Sequence, residues 1–286
     1  MLVAEMNRVF VHVRWPVQSY VVAGFFFGLT ISGVPLNGQI FLAFTAWLSL
    51  CAGLTVFNSY YDKDEEPVGG MAQPPKVASS LLYGSLILQV IGLAIAFFIN
   101  NTLFFLSLLV AILYFFYSHK SFRLKSNGYV AVFLNSLLGF LTILAAASLG
   151  GNSSIAVILL GATMAAFFKA SVYMMMQVHQ IEADKIRGDI SIAVMFGRKR
   201  TLIAALASIL IAGTLGLATI SLITEGLLLP ILGIAYFILL AWFFLQWIEK
   251  EADPVEDFET MTRMIYLSGY LGSVLSIIFY ILLNIM

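Results

Sequence analysis

The chain has 286 residues, 61% of them hydrophobic and 10% charged, with 15 Lys and Arg balanced by 15 Asp and Glu. Soluble domains carry about a quarter charged residues, so the composition excludes one, and zero net charge excludes a basic nucleic-acid surface. The lone Cys51 sits in an apolar run, which excludes a disulfide framework and any cysteine-based metal site.

Apolar runs of about twenty residues mark membrane-spanning helices, because backbone groups in hydrocarbon must be paired internally. The chain offers nine, at roughly 17–35, 38–59, 79–99, 102–118, 128–149, 153–178, 201–223, 227–248 and 264–285. The first lacks the form of a removable signal peptide and is expected to stay. These runs predict one all-α integral membrane domain over 1–286 with nine transmembrane helices. Short breaks at Gly33 to Gly38, Asn100-Asn101, Gly150 to Ser154 and Thr224 to Gly226 alternate with longer charged ones at 60–78, 119–127, 179–200 and 249–263. Every Lys and Arg except Lys169 falls in the N-terminal segment or the long loops, and every Asp and Glu except Glu225 shares that side. The positive-inside rule then makes the N-terminus and long loops cytoplasmic and the C-terminus external.

Acidic segments follow the second and sixth runs, four helices apart, which suggests two quasi-repeated four-helix halves plus a ninth helix. The charge match fails in the other pair of long loops, since 119–127 carries Lys120, Arg123 and Lys125 while 249–263 is mostly acidic. Carboxylates at a membrane boundary are costly and mark a site of chemistry. With the second run extended as a helix, Asn58, Asp62 and Glu66 recur every four residues and share one face, about 6 Å apart per step. Such a line of oxygen ligands suits Mg²⁺ and a diphosphate. Asp64 and Glu65 add charge on other faces. In the second segment Asp184 lies one turn beyond Gln180, and Asp189 follows Gly188 in a turn. Facing acidic clusters repel unless a cation bridges them.

Lys76, Arg123 and Lys125 are candidate partners of phosphate oxygen, the arginine by a bidentate fork. Lys169 is the one basic residue inside a run, a candidate contact for substrate, and His179 is the histidine placed within an acidic loop. The tyrosines Tyr60, Tyr61, Tyr114, Tyr117 and Tyr173, with Phe116, could present π faces to a cation. The same residues also read as flanking charge, interfacial belt and a snorkelling lysine. A secondary transporter is a rival class, but it calls for ionisable residues at mid-membrane, and here the charges gather at one face.

The ordered set resembles the UbiA superfamily of intramembrane prenyltransferases. Asn58-xxx-Asp62-xxx-Glu66 is similar to its N-D-x-x-D-x-x-x-D motif, and Asp184-xxx-Gly188 with Ser191 to Gly197 to its D-x-x-x-D-x-x-x-G motif. Tyr117-Ser118 to Lys125 resembles the family's Y-S-x-x-x-L-K-x-K, and Arg14-Trp-Pro16 its R-P before the first helix. The resemblance implies transfer of a polyprenyl group from an isoprenoid diphosphate to a lipophilic acceptor, with a quinone-precursor ring favoured over a tetrapyrrole or glycerol-phosphate lipid. It implies Mg²⁺ on Asn58, Asp62, Glu66 and Asp184, with Asp62 and Asp184 catalytic. Diphosphate would meet Lys125, Arg123 and Lys76, while Tyr61, Tyr117, Tyr173, Lys169, His179 and Gln180 would line the prenyl and acceptor site. Three departures stand out: Gln180 replaces an aspartate, the loop R-P-x-R-P is missing around Lys76, and Ser59 and Glu66 replace aspartates. The first two also suit a non-catalytic isoprenoid-binding member.

Overall fold

The computed structural model describes residues 2–63 and 66–285. The helices are α1 (Leu2–His12), α2 (Trp15–Ser32), α3 (Gly38–Asp62), α4 (Ser79–Ile99), α5 (Asn101–Ser118), α6 (Gly128–Ala147), α7 (Ile155–Met176), α8 (Ile181–Arg187), α9 (Ile192–Ile223), α10 (Leu228–Glu249), α11 (Pro254–Ile265) and α12 (Leu271–Ile285). Their starts follow from capping chemistry. Asn37, Asn100, Asn127, Ser154, Ser191 and Asp253 each accept a hydrogen bond from an otherwise orphaned backbone N–H of the helix they open.

Among the described residues eight segments are long and apolar enough to cross a membrane, and the chain is an integral multi-pass membrane protein. The expected first span, α2, is not among them. Gln18, Ser19, Thr30 and Ser32 dilute its hydropathy, and all four are buried inside the protein. A helix surrounded by other helices has no need of an apolar face toward lipid. α2 packs on α3, α6, α7, α9 and α12. By contrast α4, α5 and α10 turn large side chains outward, including Val90, Phe98, Phe105 and Ile238, as lipid-facing helices do.

Two expected loops prove to be helical. The segment before the seventh run joins α9, which bends at Gly197 (φ 76°) instead of starting at 201. The acidic segment 249–263 contains α11, amphipathic rather than apolar, and a π-helical turn, Tyr266–Tyr270, leads from it into α12. An ionic knot anchors both changes. Asp257 of α11 accepts two hydrogen bonds from Arg198 Nε, at 3.0 and 2.8 Å, and one from Trp247 Nε1 at 2.7 Å.

The helices that flank the first acidic segment, α3 and α4, pack closely on each other. A Cβ on Gly92 would meet the Ala46 carbonyl oxygen at 2.7 Å and the Leu50 nitrogen at 2.9 Å, both backbone atoms that cannot move aside. Gly92→Leu is therefore expected to lower stability by about 1–3 kcal/mol, as overpacking does. A downward shift of the thermal transition in detergent would report this, and an unchanged transition would show that the two helices can separate freely.

Candidate active site

A cavity of ≈ 170 Å³ opens at the end of the bundle where both acidic segments lie. It is built by the last turns of α3, the 3₁₀ turn Leu124–Ser126, the end of α7, and α8 with the turn that follows. Backbone bonds stitch two of these loops together. Ile190 donates to the Ser126 carbonyl at 2.9 Å, and Gly128 donates to the Ile190 carbonyl at 2.8 Å.

Asn58 and Asp62 stand one turn apart on α3, and Asn58 Nδ2 donates to Asp62 Oδ2 at 2.7 Å. Ser118 Oγ (3.0 Å) and Lys125 Nζ (2.9 Å) both donate to Asn58 Oδ1, and Lys125 also pairs with Asp62. Burial pushes the Lys125 ammonium down to about 7, against the opposing pull of Asp189. Across the cavity Asp184 is 4% exposed and receives Arg187 Nη2 on Oδ1 at 2.6 Å. Arg123 forks onto Asp189 at 3.0 and 2.8 Å. Arg14, held in the left-handed region (φ 55°, ψ 61°), reaches in from the start of α2 and donates to Ser59 Oγ at 3.0 Å. Non-glycine residues adopt that conformation at a cost of order 1–3 kcal/mol, which the surroundings must over-determine.

The structure brings Asn58, Asp62, Lys125, Gln180, Asp184, Tyr117, Tyr173 and Lys169 together on one lining. It leaves out five of the expected site residues. α3 ends at Asp62 because Lys63 turns left-handed (φ 53°) and donates to the Ser59 carbonyl. Glu66 therefore does not continue the helical line and stands exposed beyond it, while Asp64 and Glu65 lie outside the described residues. Lys76 is exposed on the loop. Arg123 braces Asp189 from outside the lining. Tyr61 packs on Phe57, Tyr60 and His119 rather than facing in. His179 Nε2 meets the Pro67 carbonyl at 3.1 Å and its ring lies against Phe258, so it tethers the loop that covers the cavity.

Sequence reasoning missed Arg187, Asp189 and Asn135 as lining residues. Arg187 was findable, since it lies three residues after Asp184 on one helical face. Asn135 accepts from Tyr114 OH at 3.2 Å and donates to Tyr117 OH at 3.3 Å, fixing two tyrosines in the wall. As an isolated amide within an apolar run, it was the signal that polar work is done there.

The lining carries the cations Arg14, Lys125, Lys169 and Arg187 and the carboxylates Asp62, Asp184 and Asp189, an excess of positive charge suited to an anion. Its oxygen donors, Asn58, Asp62, Gln180, Asp184 and Asp189, are the hard ligands that Mg²⁺ prefers. Asp184 Oδ2 is buried and no hydrogen-bond donor among the described residues stands within ordinary bonding geometry of it, which suits an acceptor kept for a cation. Among the described residues no three His, Cys, Asp or Glu side chains stand close enough to hold an ion by themselves. The donors therefore fit Mg²⁺ held by few protein ligands and completed by phosphate oxygens, the usual manner of that ion.

Solved structures share this fold. A UbiA homolog from Archaeoglobus fulgidus bound to GPP and Mg²⁺ superposes with TM-score 0.73 at 19% identity, covering 98% of this chain and 100% of that one. A UbiA homolog from Aeropyrum pernix K1 gives 0.67 at 20% identity, covering 90% and 97%. A digeranylgeranylglyceryl phosphate synthase gives 0.64 at 18% identity, covering 96% and 99%. No curated protein matches the chain. The model of the UbiA prenyltransferase family matches residues 19–269, which take in both acidic segments and all of the cavity lining but Arg14, Val17 and Gln18, and the chain belongs to that family.

Proposed function

We propose that the protein transfers a prenyl group from an isoprenoid diphosphate to a lipophilic acceptor in a Mg²⁺-dependent reaction. The observation that carries this reading is the convergence of oxygen ligands from both acidic segments, basic side chains and tyrosines on one cavity. UbiA homologs of the same fold bind GPP or DMAPP together with Mg²⁺, which supports it. Asn58, Asp62, Gln180 and Asp184 would hold the ion; Glu66, exposed beyond the end of α3, is left out of the set. Bound there, Mg²⁺ supplies Lewis-acid stabilisation of charge on the departing diphosphate.

Lys125, Arg14 and Arg187 face the same space and would bind diphosphate oxygens, taking the place of the arginines that the loop around Lys76 lacks. As the carbon–oxygen bond of the donor breaks, both electrons leave with the diphosphate. The acceptor forms the new bond to the allylic carbon, and its displaced proton passes to the released diphosphate or to water. Tyr114, Tyr117 and Tyr173 line the wall where the allylic cation would form, and their ring faces attract positive charge. A quinone-precursor ring remains the favoured acceptor class. With α2 counted, nine helices among the described residues would span the bilayer, and the extensive packing of α3 on α4 and of α7 on α9, pairs four spans apart, supports the repeat. The cavity would open to the cytoplasm, following the positive charge of the loops.

Asp62→Ala is expected to cut Mg²⁺-dependent diphosphate release from farnesyl or geranylgeranyl diphosphate by about a hundredfold or more, with the helical circular dichroism unchanged. Full activity in that variant would sink the metal assignment. Gln180→Asp adds a charged ligand and is expected to lower the Mg²⁺ concentration for half-maximal release by roughly tenfold. If that concentration stays where it is in the parent protein, Gln180 does not touch the ion.

A further inference from the structure

Two cavities meet at one lysine. The second, of ≈ 100 Å³, lies among α2, α6, α7, α9, α10 and α12 and is walled by residues such as Phe27, Phe168, Tyr236 and Phe279. Lys169 lines both cavities, at the inner end of the polar one and at the edge of the apolar one. It is the only charged residue between Ile155 and Met176.

Its position is built rather than incidental. α6 passes so close at Gly139 that a Cβ there would meet Lys169 Cγ at 2.7 Å, so the aliphatic stem is held against the neighbouring helix. The ammonium lies 5.6 Å from the centroid of the Tyr20 ring. Among the described residues no carboxylate and no hydrogen-bond acceptor partners it. The three carboxylates of the polar cavity are engaged at its other end by Lys125, Arg187 and Arg123. An ammonium set between two cavities inside an apolar bundle, with the Tyr20 ring beside it and Cys51 sharing its lining but no counter-ion among the described residues, points to an anion that arrives with a ligand.

The donor diphosphate is not that anion. Tyr173 and Gln177 follow Lys169 at successive turns of the same face and also line the polar cavity, which puts Lys169 about 12 Å along the axis from Gln177. Asp62, Asp184 and the bases beside them lie at the far end of that row. A group that reaches Lys169 while its reactive atom faces the donor spans the space between, as a substituted aromatic ring or a short polar headgroup does. A neutral hydrophobe would leave the ammonium unpaired.

We propose that Lys169 is a specificity-determining residue that holds an anionic group, carboxylate or phosphate, on the acceptor. The proposal rests on the prenyl-transfer reading above and is tested by binding, apart from turnover. Two pairs of probes are used on the full-length protein in detergent: 4-hydroxybenzoate with its methyl ester, and a glycerophosphate lipid with its dephosphorylated form. Thermal stabilisation is titrated for the parent protein, Lys169→Met and Lys169→Arg, and Mg²⁺-dependent diphosphate release from farnesyl diphosphate is read in parallel. One anionic probe is expected to stabilise the parent protein while its neutral twin does not, and the pair that responds identifies carboxylate or phosphate. Lys169→Met should weaken that anion by about tenfold to a hundredfold and leave the neutral twin unchanged, while Lys169→Arg retains the preference. Equal binding of both members of each pair by the parent protein, or a preference that survives Lys169→Met, overturns the proposal. Diphosphate release without anion preference overturns the Lys169 assignment alone. Anion preference without release overturns prenyl transfer and leaves the anion site standing.

Discussion

A carboxylate can stand at the mouth of an apolar bundle only beside an opposite charge, and the architecture of this site follows from that constraint. Asp62 stands with Lys125, Asp184 with Arg187, and Asp189 with Arg123. Each pair joins different loops or adjacent turns, so the charges proposed to do the chemistry also hold the mouth of the bundle together. The backbone bonds linking 126–128 to Ile190 complete the frame. Pairs of this kind contribute little net stability, because desolvation of both partners offsets their attraction. What they contribute is position. In the proposed reaction the same bases turn to the diphosphate when a cation takes the carboxylates, so one set of charges serves both the ligand-free and the loaded site.

Glycine and strained backbone place the remaining groups. Arg14, Lys63 and Arg123 all have positive φ, and they stand at the start of α2, at the end of α3 and before the turn Leu124–Ser126. Lys63 ends α3 just after Asp62, which keeps that carboxylate in the last helical turn. Arg123 precedes the turn that aims Lys125 inward, and Arg14 lies against Gly69, where a Cβ would meet its Cδ at 2.7 Å. The loop over the cavity and the arginine beneath it are thus fitted to each other.

Much of this was legible in the sequence because hydropathy in a membrane protein is a direct physical signal. α4 matches its expected run at both ends, and α5, α6 and α10 agree to within two residues, since caps and glycines bound them. The lining residues Asn58, Asp62, Lys125 and Asp184 could be singled out because polar side chains are rare at helix ends in such a chain. What could not be read was backbone conformation at non-glycine residues. A lysine carries no sign that it will turn left-handed, so Glu66 appeared to continue the helix that Lys63 ends. Nor did hydropathy reveal that α11 is helical, because an amphipathic helix at a boundary averages to neither apolar nor polar. The contact of Arg123 with Asp189 was likewise invisible, being set by two loops 66 residues apart in the chain.

The polarity of α2 has a consequence for how the molecule is assembled in the bilayer. Its buried Gln18, Ser19, Thr30 and Ser32 make it a poor stand-alone membrane segment, although it is the first of the long helices in chain order. Such a segment is stabilised in lipid chiefly by neighbours that accept its polar groups. Gln18 donates to Thr55 of the next helix, α3, and Ser19, Thr30 and Ser32 donate to carbonyls of α2 itself, while α6, α7, α9 and α12, which cover the rest of the helix, come later in the chain. The burial of α2 is therefore complete only when those later helices pack around it. Because α2 carries Gln18 into the cavity and Arg14 immediately precedes it, the lining of the site depends on that same packing.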